Sequence, residues 1–170
     1  MRRGAGAGTV LRHVLDNGPI ARSSIARETG LSPASVTGHS AQLARLGLIR
    51  DSPEAARART VGRPHVPVDL DGSGYVVGAV HVAVSHVTAA LVDLRGRVLG
   101  QISRPHAGVD PASVVSAAGD GIARLLGSRD AGTTPVGIGV ATGGRVDRDG
   151  GIVLEHPMLG WRDVPLRSLV

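Results

Sequence analysis

The chain has 170 residues, and its 19 basic side chains are all arginines that outnumber the 14 acidic ones, giving a net charge of +5. The absence of cysteine excludes a disulfide framework and any metal site built on thiolates. The sequence contains no apolar run long enough to span a membrane and no signal peptide, so we expect a cytoplasmic protein without membrane contact.

Positive charge is concentrated in the first third of the chain. Residues 1–65 contain ten arginines and four acidic residues, for a net charge of +6, whereas residues 66–170 contain nine arginines and ten acidic residues, for a net charge of −1. A basic segment joined to a near-neutral one is typical of a protein that binds nucleic acid at one end and another partner at the other. The alternative is an arginine-rich surface that meets only solvent.

The chain begins with a Gly- and Arg-rich stretch, residues 1–8, which we expect to be a flexible arm. Residues 9–16 carry apolar side chains at helical spacing and predict a first helix, which the Asn-Gly-Pro sequence at 17–19 ends.

Residues 23–50 have the pattern of a helix-turn-helix. A short helix is predicted at 24–29 and stops at Gly30. A second helix begins with Ser32 as the N-cap and Pro33 as its first residue, because serine oxygens accept from the free N–H groups there and proline fits the first helical position.

This second helix is predicted to have one apolar and one polar side. Val36, Leu43 and Leu46 recur at helical spacing and predict the buried side. Small polar side chains on the other side favour entry into a DNA major groove, because they let the helix backbone approach the base edges. The residues expected to contact DNA from this helix are Ser32, Ser35, Thr37, His39, Gln42 and Arg45.

A polar segment, residues 51–63, lies between strand-like sequences at 48–49 and 65–70. Strand, basic loop and strand are the layout of a wing, whose arginines neutralise DNA phosphates. The arginines in question are Arg57, Arg59 and Arg63. An ordinary hairpin with a charged tip is the alternative. Residues 9–70 together predict a winged-helix domain that binds double-stranded DNA.

Residues 71–74 read as a linker, after which the composition changes. The predicted elements are strands at 75–84, 87–93 and 98–102, a helix at 112–126 and a short buried strand at 135–141. Three strands in close succession indicate an antiparallel meander, and the following helix and strand place the second part in the α/β class.

Three segments resemble the N-terminal part of ROK-family transcriptional regulators, the repressor relatives of bacterial sugar kinases. The first is the helix-and-wing entry LSPASVTGHSAQLARLGLIRD, and the second is the Gly-Arg-Pro triplet at 62–64. The third comprises residues 74–99 and 136–170, including the Gly-Trp-Arg-Asp-Val-Pro-Leu run at 160–166. The resemblance covers nearly the whole chain, but well under half of a complete family member.

The resemblance implies an α/β protein in which a winged helix-turn-helix domain at 9–70 precedes an incomplete first lobe of an actin-like (ribonuclease H-like) ROK domain at 75–170. It implies a sugar-responsive transcriptional repressor of carbohydrate metabolism with a sugar or sugar-phosphate effector, acting as a homodimer. The family's loop near the sugar matches Gly143 and Gly144, which the residues alone would suggest only as a Gly-rich turn.

The sugar kinases related to these regulators carry an Asp-x-Gly-Gly-Thr phosphate-binding turn in their first hairpin. Here His81 stands at the Asp position, and Ala83 and Val84 stand at the two Gly positions. A phosphate cradle needs close backbone approach, which glycine permits. We therefore expect neither ATP binding nor enzyme activity, no cofactor, and no metal site among the scattered histidines.

Two alternatives stay open. The chain could be a sugar-kinase fragment, which detectable ATP hydrolysis or hexose phosphorylation would indicate. It could also be a non-functional remnant with uncovered strand edges, which an insoluble full chain beside a soluble 1–72 fragment would indicate.

Overall fold

The computed structural model describes residues 5–54, 66–106, 110–129 and 132–170, which fall into two compact units, residues 1–75 and 76–170. Within these described ranges, no helix is both long and apolar enough to cross a membrane.

The first unit is built from three helices and a two-stranded sheet. Its elements are α1 (Ala5–Asn17), α2 (Arg22–Thr29), α3 (Pro33–Arg45), β1 (Ile49–Asp51) and β2 (Val68–Leu70). Branched aliphatic side chains from all three helices, among them Val14, Ile25 and Val36, are fully buried and form the core. The chain has few aromatic residues, so close packing of valine, leucine and isoleucine stabilises this unit.

The flexible arm predicted for residues 1–8 is wrong for residues 5–8, which form the first turn of α1. Alanines at positions 5 and 7 favour a helix, and the missing side chain of Gly6 lets α1 lie directly against the ring of His39 on α3. A tertiary contact therefore extends the helix beyond the apolar spacing that predicted its start at residue 9.

The two strands of the first unit pair antiparallel, with Ile49 opposite Leu70. Ile20, just before α2, bridges to Val68 through two backbone hydrogen bonds of 2.9 Å. These contacts fix the base of the predicted wing against the helices. The wing segment from residue 55 to residue 65 lies outside the described residues.

The second unit contains a four-stranded sheet in the order β5-β4-β3-β6. Its elements are β3 (Tyr75–Val82), β4 (His86–Asp93), β5 (Val98–Pro105), α4 (Pro111–Gly127) and β6 (Thr134–Thr142). The meander prediction is confirmed, since β3, β4 and β5 pair antiparallel in sequence order. α4 begins where Asp110 accepts hydrogen bonds from the N–H groups of Ala112 and Ser113, and it packs on the sheet through Val114 and Ile122.

A three-stranded antiparallel sheet follows, in the order β7-β8-β9. Its elements are β7 (Arg145–Asp147), β8 (Ile152–His156), a 3-10 turn (Pro157–Leu159), β9 (Trp161–Val164) and the short α5 (Leu166–Leu169). Val153, Trp161 and Leu166 join this part to the same core as α4. The sequence did not predict these short strands.

The buried strand predicted at 135–141 is wrong in its burial. β6 is the edge strand of the four-stranded sheet, and Val136 and Ile138 are 55% and 45% exposed. Among the described residues only β3 pairs with it, so its other edge is open.

Candidate nucleic-acid interface

The start of α3 has the predicted cap. The hydroxyl oxygen of Ser32 accepts from the backbone N–H of Ser35 at 3.1 Å, and the two hydroxyls hydrogen bond at 2.8 Å. Pro33 occupies the first turn, where its missing N–H costs no hydrogen bond. Both serines are exposed, so the first turn of α3 presents polar groups to solvent.

The two sides of α3 differ as predicted, with one correction. Val36, Ser40 and Leu43 are buried and face the other helices. Leu46 was expected on this side but is 50% exposed. The reason is that α3 ends at Arg45, so Leu46 caps it and its carbonyl accepts a 2.7 Å hydrogen bond from the Tyr75 hydroxyl.

The exposed side of α3 contains most of the predicted DNA-contacting residues. These exposed residues are Ser32, Ser35, Thr37, Gln42 and Arg45. Between them lie Ala34, Gly38 and Ala41, which are also exposed and were not among the predicted contacts. Their spacing of four and three residues was the available signal, because it places them on one side of a helix. The middle of the exposed side of α3 therefore has only small residues, with longer polar side chains around them.

Thr37 has a second role on α3. Its hydroxyl donates to the carbonyl of Pro33 at 2.9 Å, one turn earlier. This bond uses the only hydrogen of the hydroxyl, so Thr37 can offer a ligand its methyl group and an acceptor oxygen but no donor.

His39 differs from the other predicted contacts, because it is only partly exposed. Its ring lies so close to Gly6 that a Cβ atom there would clash with Nε2. In this conformation the ring packs on α1 and fixes the position of α3 relative to α1.

Some of the charged side chains around α3 form ion pairs and hydrogen bonds within the first unit. Arg22 donates to Asp51 at 2.7 Å and to the carbonyl of Val66 at 3.3 Å, which ties α2 to the strands of the first unit. A hydrogen bond with His13, followed by one from Arg27, lowers the pKa of Glu28 below its ordinary value. Arg45 is exposed in the last turn of α3. The predicted wing arginines Arg57, Arg59 and Arg63 lie outside the described residues.

The Gly143-Gly144 turn between β6 and β7 packs against β8. Gly144 has a φ of +86°, and a Cβ atom there would clash with the Glu155 carbonyl. A Cβ atom on Gly143 would lie 3.1 Å from Nε2 of His156, a buried residue whose ring meets that of Trp161 edge-on at 6.2 Å. Close packing thus accounts for both glycines.

Two buried polar atoms near this turn have no hydrogen-bond partner among the described residues. They are Oγ1 of Thr142, which precedes the glycine pair, and Nε1 of Trp161. Buried polar groups are nearly always paired with protein, water or ligand. These two atoms therefore give the region a capacity for polar binding that the fold does not use.

In the hairpin between β3 and β4, residues with side chains stand where the related kinases have the glycines of their phosphate turn. Ala83 donates its N–H to the carbonyl of His86 at 2.9 Å, and its own carbonyl binds Nε2 of His106 at 3.0 Å. His81 is exposed on β3, and Val84 is 45% exposed. Across the described ranges, no group of three His, Asp or Glu side chains could hold a metal ion.

No protein-family model matches the chain. A transcriptional regulator of Mycobacterium tuberculosis (strain ATCC 25618 / H37Rv) is 32% identical over 160 residues, which are 94% of this chain and 36% of that protein. A xylose repressor of Bacillus subtilis (strain 168) is 27% identical over 166 residues, which are 95% of this chain and 41% of the repressor.

A solved structure gives the same result. The crystal structure of a ROK family transcriptional regulator, a homolog of the E. coli MLC protein, superposes with a TM-score of 0.73 and 25% identity. The match covers 96% of this chain and 41% of that chain. The resemblance to ROK-family transcriptional regulators is thereby confirmed, and the matches support a regulator over a kinase fragment. The chain spans about two fifths of the length of the relatives it matches.

Proposed function

We propose that this chain, a match to ROK-family transcriptional regulators along nearly its whole length, reads double-stranded DNA through a winged helix at residues 9–70. In this proposal residues 75–170 are the beginning of an actin-like lobe that responds to a sugar. The chain acts as the DNA-binding part of a repressor, and this repressor forms the homodimer that the resemblance implies. It is not an enzyme, because His81, Ala83 and Val84 replace the groups that a phosphate turn needs.

The observation that carries the proposal is the two-sidedness of α3. One side is buried in the three-helix core. The other is exposed, with small residues at its centre and polar side chains at its edges. A helix of this kind enters a major groove closely, because alanine and glycine leave room for base edges and phosphates. The excess of arginine in residues 1–65 supplies attraction to the DNA backbone.

The contacts divide into two classes. In this proposal Ser35, Thr37 and Gln42, which are exposed on α3, contact base edges. The Thr37 methyl suits the methyl group of thymine, and the Gln42 amide suits adenine. Ser32 and Arg45, at the two ends of α3, contact phosphates. The wing arginines Arg57, Arg59 and Arg63 neutralise further phosphates.

In this proposal His39 either positions α3 or contacts a base. Its ring either stays on Gly6 and positions α3, or turns outward to a base. A change of sequence preference in His39→Ala indicates base contact, whereas a uniform loss of affinity indicates positioning.

Fluorescence-anisotropy titration tests the DNA proposal. The full chain is titrated onto duplex DNA from its own upstream region and onto a scrambled duplex, at two salt concentrations. We expect tighter and salt-sensitive binding to the upstream duplex, with about 0.9 of log–log slope lost for each phosphate contact removed. Absence of binding to either duplex at low salt would rule out DNA recognition by residues 9–70.

Two variants separate the classes of contact. Replacing Arg57, Arg59 and Arg63 by alanine should weaken binding to both duplexes and reduce the salt slope, whereas Gln42→Ala should change the preference between them. Equal binding by wild type and the triple variant would exclude the wing as a phosphate clamp.

The effector proposal is carried by two unpaired buried atoms. One belongs to Thr142, which precedes the predicted ligand-binding residues Gly143 and Gly144, and the other to Trp161, whose ring meets that of His156 next to Gly143. Sugar hydroxyls both donate and accept, so they can pair with an indole N–H and with a threonine hydroxyl. Since some relatives are named xylose repressors, D-xylose is the first probe. Calorimetry should show binding that Thr142→Val weakens. Unchanged affinity in that variant would place the sugar elsewhere.

A further inference from the structure

The chain segment that leads from the first unit to the second is held to the residues that follow α3. Residues 71–74, predicted as a linker, begin with a hydrogen bond of 3.0 Å from the N–H of Asp71 to the carbonyl of Leu48. The Asp71 carboxylate then accepts from the N–H and the hydroxyl of Ser73, at 3.0 and 2.6 Å. The segment is therefore a hydrogen-bonded turn of the first unit, and it leads directly to Tyr75.

Tyr75 joins this turn to the C-terminus of α3. Its hydroxyl donates to the carbonyl of Leu46, the C-cap residue of α3, at 2.7 Å. Carbonyls at the end of a helix have no partner within the helix, so this bond satisfies one of them. The Tyr75 ring lies beside Gly47, where an added Cβ atom would be 3.9 Å from Cε2. Tyr75 thus helps to position the end of α3, next to the proposed phosphate contact Arg45.

The backbone of Tyr75 leads straight into the second unit. Tyr75 is the first residue of β3, and the next residue, Val76, is fully buried and pairs with Asp93 of β4. Consecutive Cα atoms are only about 3.8 Å apart, so the chain has no slack between the residue bonded to α3 and the core of the four-stranded sheet. A displacement of the start of β3 therefore either moves the end of α3 or breaks the hydrogen bond to Leu46.

We propose that Tyr75 is a coupling residue, whose hydroxyl transmits displacements of β3 to the C-terminal end of α3. This role rests on the proposed function, in which the second unit responds to a sugar and α3 binds DNA. A sugar that displaced β3 would break the bond to Leu46, release the end of α3 and change its affinity for DNA. Coupling between two sites needs an element with two arrangements that both ligands bias, and the Tyr75 hydrogen bond distinguishes the two arrangements.

The hydrogen bond of Tyr75 suits a contact that is broken and remade. It is exposed, so water can replace the lost partner on either side, and such a bond contributes little net stability. Tyr75→Phe keeps the ring beside Gly47 and removes only the hydroxyl. This variant therefore separates the coupling role from the packing of the ring.

Hydrogen exchange in the full chain without any ligand tests the connection itself. The reporters are the amides of residues 46–48, whose N–H groups bond to carbonyls of α3. Ile122→Val removes the Cδ1 atom that lies against β3 at Gly78, and we expect it to speed exchange at these amides about twofold or more. Tyr75→Phe should speed this exchange too, and in the double variant Ile122→Val should add nothing further.

A control and a test of folding accompany these variants. Val98→Ala, on β5 at a position that is 59% exposed, should leave exchange at the three amides unchanged. Circular dichroism and the fluorescence of Trp161, the only tryptophan, establish that each variant is folded. If Ile122→Val speeds exchange equally with and without the Tyr75 hydroxyl, or has no effect when the hydroxyl is present, the coupling role is overturned.

Ligand titrations test the consequence for DNA binding. Affinity for the upstream duplex is measured with and without saturating D-xylose, in the wild type and in Tyr75→Phe. The variant should bind both ligands, but the effect of D-xylose on DNA affinity should be smaller by about 2- to 10-fold, the range that one hydrogen bond accounts for. An unchanged effect in Tyr75→Phe, or no effect in a wild type that binds both ligands, would overturn the coupling role. If the wild type binds neither ligand, the proposed function fails, whereas hydrogen exchange without ligand still decides the role of Tyr75.

Discussion

Gly38 offers a direct test of the role of α3, because the fold does not require glycine there. It lies in the interior of α3 on the exposed side, and a Cβ atom at this position would meet no described atom within 4 Å apart from its chain neighbours and the nearby backbone of α3 itself. A glycine inside a helix costs about 0.5–1 kcal/mol relative to alanine. We expect Gly38→Ala to raise the free energy of unfolding of the first unit by this amount, or its Tm by about 2–8 °C.

The same methyl group should weaken DNA binding. It would project from the low centre of the exposed side of α3, between Ala34 and Ala41, where the helix is proposed to approach the groove most closely. Extra volume in a close-packed contact typically costs about 1–3 kcal/mol, so affinity should fall by about 5- to 150-fold. A variant that is more stable and yet binds less well separates binding from folding.

Thermal melts and fluorescence anisotropy on the same preparations measure both effects. Gly119→Ala is the matched control, because Gly119 is also exposed in a helix interior with open space around its Cβ position, but it lies on α4. It should leave DNA affinity unchanged. If Gly38→Ala binds DNA as tightly as the wild type, the exposed side of α3 does not enter the groove closely, and the reasoning fails.

Three further substitutions test the fold around the candidate sites. Ser40→Ala should raise the free energy of unfolding by about 1 kcal/mol, because the buried Oγ of Ser40 has no hydrogen-bond partner among the described residues. Urea denaturation measures this change, and a decrease would mean that the Ser40 hydroxyl does have a partner. Gly6→Ala should lower the Tm by forcing the His39 ring away, and the double variant with His39→Ala should recover it; no recovery would locate the clash elsewhere. Hydrogen bonds from the hydroxyl and N–H of Ser113 lower the pKa of Asp110, so its stabilising effect is present above pH 3.8 and is lost as pH falls through the folded-state pKa. Asp110→Asn should remove that acid-dependent loss in melts across acid pH, and an unchanged pH profile would contradict this.

The helix boundaries that depend on local chemistry could be predicted from sequence. Ser32 followed by Pro33, and Asp110 followed by Pro111, both mark helix starts, and the structure has hydrogen-bonded caps at Ser32 and Asp110. These signals are reliable because each involves atoms only two or three residues apart. Apolar spacing likewise identified Val36 on the buried side of α3.

The surroundings of an element were harder to predict. The apolar sequence of β6 is what a buried strand would have, yet burial depends on which elements cover the strand, and local composition does not contain that information. The strands β7 and β9, of three and four residues, are too short for an alternating pattern to stand out. Leu46 fits the helical spacing but follows the last helical residue.

Three glycines show why the role of a glycine in a candidate site cannot be assigned from the sequence without the structure. Gly144 must be glycine, because its φ is positive and β8 lies against it, so its identity says nothing about a ligand. Gly6 makes room for His39. Gly38 has neither reason, and it weakens the helix that contains it. Gly119 on α4 has neither reason as well, so a glycine without a structural cause is not by itself evidence of a partner. Gly38 gains its meaning from its position beside Ala34 and Ala41, on the side of α3 that the proposal brings to DNA.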